Sequence, residues 1–212
     1  FVSPRHGVAS KGGADLTLTG SGFVFPTVNS SLVGCIFGRS YFSHAVVMGP
    51  TTMMCRAPPL ASVDPNAMAP MDVTIDLSFD GGQTMTNLNN IYSYLLDFEF
   101  DGVLPSGGLF SSLTQATLSG KNFRRTPNLY LQFGEKRVSA ALATAESLRT
   151  IAPIQDEPGT YDILYSVDNQ TFAPTGLHWI ASATSLVKAI IPDRGFRVGG
   201  TNVTLVTSGL YW

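Results

Sequence analysis

The sequence predicts an all-β chain built of tandem β-sandwich repeats, two of them complete and a third that begins near the end of the chain. Glycine and proline are frequent, at 21 and 13 residues, which favours many short strands over helices. Apolar residues alternate with threonine or serine in short runs, as in half-buried strands. The same blocks also recur in the same order along the chain, which is typical of a repeat architecture.

The composition supports folded domains and argues against some partners. With 212 residues, 44% hydrophobic and 13% charged, the chain can fill two ordinary cores and does not resemble a disordered segment. The formal net charge of −2 gives no basic surface for nucleic acid or an anionic membrane. No apolar run approaches the roughly 20 residues that span a bilayer. We therefore expect no nucleic-acid partner and no direct membrane insertion within this sequence.

Each unit opens with a turn, an alternating strand and a sharp bend that is followed by a large apolar residue. The three opening segments are residues 12–23, 114–123 and 199–210, and a proline precedes each of them, at Pro4, Pro105 and Pro192. The bend falls on Gly22, Asn122 and Gly209. Because glycine and asparagine enter the left-handed backbone region at low cost, we expect a positive φ at these bends.

The match between the first two units continues downstream. Residues 35–38 correspond to 131–134, residues 55–58 to 150–153, residues 78–84 to 166–172, and the aromatic closing strands at 91–94 to 177–180. The third of these blocks is a turn built on Asp80 or Asp168, which is hairpin chemistry. The alanine-rich segment 140–148 favours a helix by propensity alone, but its partner in the first unit contains Gly49 and Pro50. We therefore predict a strand followed by a turn.

These correspondences divide the chain into three units. We expect one sandwich at residues 1–96, a second at 97–183, and the N-terminal part of a third at 184–212. The joints fall near Leu96 and Ala183. Since almost no linker separates the units, neighbouring sandwiches should pack on each other and limit bending.

Taken together, the proline, the Gly-Gly turn, the bend, the Phe-Gly pair, Cys-x-x-Pro-Pro at 55–59 and the Asp-Gly turn at 80–81 resemble the IPT/TIG domain family. The resemblance implies an immunoglobulin-like fold of two packed antiparallel sheets, so the fold class is all-β with tandem immunoglobulin-like β-sandwiches. A shared fold does not by itself imply a function.

Cys35 and Cys55 both lie in the first unit, and their counterparts in the second are Leu131 and Thr150. The second unit thus lacks both cysteines, as expected if they act as a pair. The resemblance agrees, since extracellular members of that family often carry cysteines at these positions. A bridge would contribute about 3 kcal/mol on a chain-entropy argument. Two buried free thiols in a reduced compartment remain the alternative. A zinc site is not expected, because two cysteines without neighbouring ligands do not complete four ligands.

Three Asn-x-Ser/Thr motifs predict N-glycosylation at Asn29, Asn169 and Asn202. Asn29 follows the first bend, Asn169 lies at a hairpin tip and Asn202 at the start of a strand. Combined with the cysteine pair, these motifs favour the secretory pathway and an extracellular or cell-surface location.

The residue patterns indicate no catalytic site and no cofactor site. We expect structural or surface roles for His6 on an opening loop and for His44 and His178 on strands. Alternation should put Asp97, Glu99 and Asp101 on one face of a strand, with two phenylalanines on the other. These three carboxylates could supply part of the roughly 6–8 oxygens of a calcium site, but a wet acidic face over a buried aromatic one is the simpler interpretation.

The sequence therefore favours a non-catalytic structural or adhesive module of a larger extracellular or cell-surface repeat protein. It would act as a stiff spacer and an assembly surface, whose partners are neighbouring repeats of the same chain and other protein subunits. The alternative is the ligand-binding ectodomain of an IPT/TIG-type receptor, with a protein or glycan ligand. A third interpretation, the DNA-associated IPT domain of some transcription factors, requires a basic face that the composition lacks.

Overall fold

The computed structural model describes residues 1–23, 30–183 and 186–208. Within these residues the chain forms eighteen β-strands, a 3₁₀ turn at Ser30–Leu32 and a four-residue helix, α1, at Leu60–Val63. In chain order the strands are β1 (Val2–Ser3), β2 (His6–Val8), β3 (Asp15–Thr19), β4 (Gly34–Phe37), β5 (Tyr41–Gly49), β6 (Thr52–Arg56), β7 (Met71–Ser78), β8 (Asn90–Leu95), β9 (Glu99–Leu104), β10 (Gly107–Leu109), β11 (Thr114–Lys121), β12 (Tyr130–Phe133), β13 (Lys136–Thr144), β14 (Ser147–Ala152), β15 (Gly159–Ser166), β16 (Ala173–Ser182), β17 (Leu186–Ile191) and β18 (Thr204–Ser208). The all-β prediction is confirmed.

The first eight strands form one sandwich, in the order β1-β3-β6-β5-β4-β7-β8-β2. Strand β5 links its two layers, because residues 41–44 pair with β4 and residues 45–49 pair with β6. All neighbours are antiparallel except β2, which runs parallel to β8. Alternation along β3 buries Leu16 and Leu18 between exposed residues. The enclosed core includes side chains from both layers, among them Leu16, Phe37, Met53, Ile75 and Tyr92.

The next eight strands repeat this topology strand for strand, in the order β9-β11-β14-β13-β12-β15-β16-β10. Strand β13 links the layers as β5 does, and the parallel pair recurs as β10 on β16. Its core includes Leu118, Phe133, Leu148, Ile163 and Trp179. The prediction of tandem immunoglobulin-like sandwiches is confirmed by two units of identical strand order.

The alanine-rich segment is a strand and a turn, as predicted. Strand β13 runs to Thr144, and β14 begins at Ser147. The pairing of Ala140 with Thr150 and of Leu142 with Leu148 places this segment in the sheet. The tertiary pairing thus outweighs the helical propensity of alanine, which is worth less than about 1 kcal/mol per residue.

After the second sandwich, β17 and β18 form a two-stranded antiparallel sheet. Its register resembles that of β9 on β11, since both pairs contain a shift, between Val187 and Ala189 in one and between Ser119 and Gly120 in the other. The three prolines that precede the opening strands all follow cis peptide bonds. This two-stranded sheet therefore has the pairing seen between the first strands of the second sandwich.

The backbone at the bends is as expected where the structure describes it. Gly22 has a φ of 79° and Asn122 a φ of 65°, both in the left-handed region. The third predicted bend residue, Gly209, lies outside the described residues.

Candidate functional site: the joint between the two sandwiches

The apolar part of the joint is built by the last residue of a short strand. Strand β2 runs parallel to β8 and pairs Val8 with Leu95. Val8 is only 4% exposed, and it packs in the core of the second sandwich together with Leu95 and Phe98. A valine of the first unit thus completes the hydrophobic core of the second, and burial of such a side chain contributes about 1.5–3 kcal/mol.

The polar part of the joint is a side-chain amide that pairs with backbone. The amide oxygen of Gln170 accepts a hydrogen bond from the backbone N–H of Asp15 at 2.7 Å, and its Nε2 donates to the carbonyl of Asp15 at 3.0 Å. Asp15 is the first residue of β3 in the first sandwich, and Gln170 lies in the loop between β15 and β16 of the second. The amide therefore joins the two units with the geometry of a strand neighbour.

A buried carboxylate shapes the loop that carries Gln170. Asp168 is 3% exposed and accepts hydrogen bonds from Ser166 Oγ at 2.7 Å and from the backbone N–H groups of Gln170 and Thr171 at 2.8 Å each. Thr171 Oγ1 also donates to it, at 2.6 Å. Asn169 takes a φ of 60° at the tip, which asparagine tolerates well. The loop is thereby held in one conformation that points Gln170 at the first sandwich.

The equivalent loop of the first sandwich has the same arrangement around Asp80. Its carboxylate accepts hydrogen bonds from Ser78 Oγ at 2.7 Å, from the backbone N–H of Thr84 at 2.9 Å and from Thr84 Oγ1 at 2.7 Å. The bonds from Thr84 and then from Ser78 favour the ionised form and lower the pKa of Asp80 from 3.8 to about 2. The predicted turns on Asp80 and Asp168 are thus carboxylate-centred loops of the same design.

The acidic stretch that follows the first sandwich is the linking segment of the joint. Asp97 Oδ1 accepts a hydrogen bond from Ser10 Oγ at 2.8 Å, and Asn122 Nδ2 donates to the carbonyl of Asp97 at 3.3 Å. Glu99 and Asp101 are exposed, whereas Phe98 is buried and Phe100 packs against the second core. The predicted alternation therefore holds, although β9 begins at Glu99. No group of three or more His, Cys, Asp or Glu side chains suited to a metal ion occurs among the described residues.

Phe98 and Phe100 belong to a cluster of four aromatic rings. The ring of Phe98 stacks on Tyr165 at 5.2 Å and meets Phe123 at 5.3 Å, and Phe100 lies 5.1 Å from each of the same two rings. The backbone N–H of Phe98 donates to Tyr165 Oη at 3.2 Å. Burial raises the pKa of Tyr165 to about 12, against the smaller opposing effect of that hydrogen bond. The linking segment is thus anchored by aromatic packing.

A disulfide joins Cys35 on β4 to Cys55 on β6, so it connects the two layers of the first sandwich. In the second sandwich the corresponding Leu131 is fully buried, and Thr150 Oγ1 donates to the carbonyl of Ser139 at 2.9 Å. A larger apolar side chain and a satisfied hydroxyl thus occupy the positions of the bridge.

A polar cleft of about 420 Å³ lies beside the joint, lined among others by His6, Asp72, Arg124 and Arg125. His6 belongs to β2 and not to an opening loop, so that detail of the sequence interpretation is wrong; the parallel pairing with β8, a contact 87 residues away, places it in a sheet. Burial is the main effect on the pKa of His6 and lowers it, with Asp72 opposing and Arg5 adding. His44 and His178 lie on β5 and β16, as predicted, and His178 Nδ1 is 2.8 Å from Asp162 Oδ1.

The predicted glycosylation sites are only partly described. Asn29 lies outside the described residues. Asn169 and Asn202 are both exposed, Asn169 at the loop tip of the joint and Asn202 two residues before β18. Their modification stays a prediction.

Sequence reasoning missed the residues that join the two units, namely Val8, Ser10 and Gln170. One signal for Gln170 was available, because Gln83 occupies the same place in the equivalent loop of the first sandwich. For Val8 and Ser10, the repeat pattern held no comparable signal. In the described part of the chain, no helix is long and apolar enough to cross a membrane.

Residues 2–100 match the IPT/TIG domain family, and a search of curated proteins found no match. Among solved structures, the plexin A4 full extracellular region, domains 1 to 10, is similar with a TM-score of 0.55 and 17% identity, over 95% of this chain and 19% of that one. A second plexin A4 structure, with domains 1 to 8, gives a TM-score of 0.51 and 14% identity over 85% and 18%. The chain therefore spans about a fifth of the plexin region, and at these identities the likeness shows the fold alone.

Proposed function

We propose that the chain is a non-catalytic structural or adhesive module of a larger repeat protein. The match of residues 2–100 to the IPT/TIG domain family supports this proposal. In this role it serves as a stiff spacer that keeps successive sandwiches in fixed relation and presents their surfaces to protein partners. We place its units at residues 1–96, 97–183 and 184–212. Its partners are the neighbouring repeats and other protein subunits.

The observation that carries the proposal is the burial of Val8 in the core of the following sandwich. A hinge between independent domains needs a joint that opens at little cost, and exposing a valine to water works against opening. The two hydrogen bonds between Gln170 and Asp15 add an orientation to this contact, because they are satisfied in one arrangement only. A spacer needs such a joint between its units.

The test is small-angle X-ray scattering of the 212-residue protein, with the profile calculated from the structure as the reference. A stiff joint gives agreement with one arrangement of the two sandwiches. A profile that requires a broad ensemble of interdomain orientations would contradict the spacer function. The control for substitution away from the joint is Val46→Ser. Val46 lies in the first sandwich, as Val8 does, but it is 57% exposed, so this variant should give the wild-type profile.

We also propose an extracellular or cell-surface location. The proposal is supported by the Cys35–Cys55 disulfide, since such bonds persist in oxidising compartments, and by the exposure of Asn169 and Asn202. Expression in a secretory eukaryotic host should add glycan at Asn169, measured as a mass that falls after enzymatic removal of N-glycans. In the Asn169→Gln variant, that part of the mass difference should be absent. Unmodified Asn169 in the secreted protein would count against glycosylation at this site.

The alternative function is a ligand-binding ectodomain, and the polar cleft beside the joint favours it. Two exposed arginines, Arg124 and Arg125, line that cleft with His6 and Asp72, and guanidinium groups bind anionic partners readily. Screening an array of acidic glycans with the wild type and an Arg124→Gln/Arg125→Gln variant separates the two functions. Binding that the variant loses favours the receptor, whereas no binding by either protein favours the spacer.

A further inference from the structure

A groove of about 610 Å³ opens at the end of the first sandwich opposite the joint, lined among others by Leu18, Gly20, Phe23, Leu77, Phe79 and Leu88. Strand β3 runs from the joint to the groove, because it begins with Asp15 at the joint and ends with Thr19 at the groove. Leu88 is 50% exposed there, and residues 20–22 of the bend are exposed as well. The groove therefore presents Leu88, and in part Phe79, to solvent, and Leu18, Phe23 and Leu77 form its floor at the edge of the buried core.

The second sandwich shows what covers this position in a neighbouring repeat. There the linking segment lays Phe98 and Phe100 against Phe123 and Tyr165, with ring centroids 5.1 to 5.3 Å apart. Phe123 and Tyr165 lie within the body of the sandwich, whereas Phe98 and Phe100 lie where the chain enters it from the first unit, just before β9 and on its second residue. Half of the aromatic cluster is thus supplied by the linking segment.

The register of the strands identifies the corresponding residues of the first sandwich. Phe23 follows the bend as Phe123 does, and Leu77 pairs with Cys35 as Tyr165 pairs with Leu131. Both Phe23 and Leu77 line the groove. The first unit therefore has large apolar residues at the two corresponding positions, a phenylalanine as in the second unit and a leucine in place of the tyrosine.

Gly20, at the groove, corresponds to a glycine that a strand crosses in the second sandwich. In the second sandwich, a side chain on Gly120 would overlap the carbonyl oxygen of Glu99, because the linking segment passes directly over it. Gly20 is the equivalent residue and is exposed, although its missing side chain also leaves room for the ring of Phe23. The first sandwich thus keeps the small residue that close backbone approach requires.

The backbone of Phe1 shows the direction from which a strand would enter. Phe1 exchanges two hydrogen bonds with Thr19, of 2.9 and 2.8 Å, as an antiparallel neighbour does. The corresponding pair in the second sandwich is Gly102 with Ser119, and the next pairing there is Phe100 with Gly120. A strand that continues the ladder beyond Phe1 therefore faces Gly20 and runs over the groove.

We propose that this groove is the docking site for the linking strand of an adjoining repeat. The occupant is an extended segment with large apolar or aromatic side chains at two alternate positions, as Phe98 and Phe100 stand in the chain's own linking segment. It pairs antiparallel with Gly20 and Ser21, and its side chains pack on Phe23, Leu77 and Leu88. This inference deepens the proposed spacer function and rests on it. It gives each repeat one end that provides a linking strand and one end with a groove that binds the linking strand of the adjoining repeat.

The test adds a copy of the chain's own linking segment, residues 95–101, directly before Phe1 of the 212-residue protein. The register then places the second copied phenylalanine opposite Gly20. In hydrogen–deuterium exchange, residues 20–23 should exchange more slowly than in the unextended protein, with the largest change, about tenfold, at Ser21. Ser21 corresponds to Lys121, which pairs with Glu99, whereas the amides of Gly20 and Phe23 already donate to the carbonyls of Thr51 and Pro50. The melting temperature of the first sandwich should rise as well.

Two matched variants identify the cause. The same extension with both copied phenylalanines replaced by serine should leave exchange at residues 20–23 and the melting temperature at the unextended values. Leu88→Ser should abolish most of the gain from the extension, while changing the unextended protein little because Leu88 is already half exposed.

Equal protection by the phenylalanine and serine extensions would overturn the proposal, and so would protection confined to other parts of the chain. Dimer formation by the extended protein, measured by size-exclusion chromatography with light scattering, would also overturn docking within one molecule. The joint lies at the other end of β3, so the scattering test of the spacer function has its own outcome. The extension can leave amide exchange unchanged while scattering shows a stiff joint. Conversely, scattering can show a flexible joint while the extension slows exchange at the groove.

Discussion

Gln170 of the second sandwich forms two hydrogen bonds with the backbone of Asp15 in the first, across 155 residues of sequence. The amide is held in place by a loop whose buried carboxylate, Asp168, accepts bonds from Ser166 and from the two residues after Asn169. An internal network of the second unit thus fixes the position of the side chain that reaches the first unit. This is the most specific contact of the joint, because it has both a donor and an acceptor to satisfy.

Replacing Gln170 by alanine should loosen the joint without unfolding either sandwich. The change removes two exposed hydrogen bonds, each worth about 1 kcal/mol or less, so we expect a fall of no more than a few degrees in melting temperature. In ¹⁵N relaxation, the wild-type sandwiches should tumble as one body, and those of the variant should show shorter and unequal correlation times. Gln83→Ala, at the equivalent position of the other loop, is the control and should tumble like the wild type. Identical behaviour of the two variants would mean that the amide does not orient the joint.

Val8→Ser should destabilise the second sandwich although the residue belongs to the first. The side chain is 4% exposed in the second core, so we expect a loss of about 2 kcal/mol in unfolding free energy. Chemical denaturation in a Trp212→Phe background, followed by tryptophan fluorescence, reports on the second core through Trp179, the only remaining tryptophan. Val46→Ser, on the exposed side of β5, should change the same free energy by less than about 0.5 kcal/mol. A loss restricted to the first sandwich would contradict the position of Val8.

Removing the disulfide should lower the stability of the first sandwich by about 3 kcal/mol, since the bridge closes a loop of 20 residues in the unfolded chain. Reduction and the double substitution Cys35→Leu/Cys55→Thr, which copies the residues of the second sandwich, both test this expectation. Hydrogen exchange resolves the two units, and amides of β14 to β16 should keep their wild-type rates. If reduction left the first sandwich as stable as before, the bridge would have no stabilising role.

The loop around Asp80 should make the stability of the protein depend on pH in the acid range. Hydrogen bonds to the ionised carboxylate lower its pKa to about 2 from the ordinary value of 3.8. A depressed folded-state pKa stabilises the fold above the unfolded pKa, and this contribution is lost as the pH falls through about 2. The melting temperature of Asp80→Asn should therefore lie below that of the wild type at pH 7, and the difference should shrink between pH 4 and pH 2.

Thr84→Val provides the matched test of this mechanism, because it removes one donor to Asp80 and keeps the shape of the side chain. The carboxyl carbon of Asp80, followed by NMR, should then titrate closer to 3.8 than in the wild type, where it should titrate near 2. An unchanged titration midpoint would show that the threonine hydroxyl does not stabilise the carboxylate.

Much of the fold could be predicted because its signals are local. Alternation along 15–19 predicted β3, and the bends at Gly22 and Asn122 predicted positive φ, since each depends on a residue's own backbone and its neighbours in sequence. The order of blocks predicted tandem units, because a repeated pattern implies a repeated fold. The pairing of Cys35 with Cys55 was accessible by comparing the repeats and from the family resemblance.

The joint and the groove could not be predicted in this way. His6 was assigned to a loop because its strand is three residues long and exists only through pairing with β8, formed from residues far along the chain. Val8, Ser10 and Gln170 are ordinary residues in the sequence, and their roles follow from which surfaces two folded units bring together.

The sequence by itself determined the unit: its strands, its turns, its bends and the order in which they recur. Only the tertiary structure decided how the units connect, that Val8 completes its neighbour's core, that Gln170 pairs with Asp15, and that Phe23 and Leu77 stand where Phe123 and Tyr165 receive a linking strand. The physical reason is the range of the interactions. Backbone conformation and alternation depend on neighbours in sequence, whereas burial and pairing across a joint depend on neighbours in space.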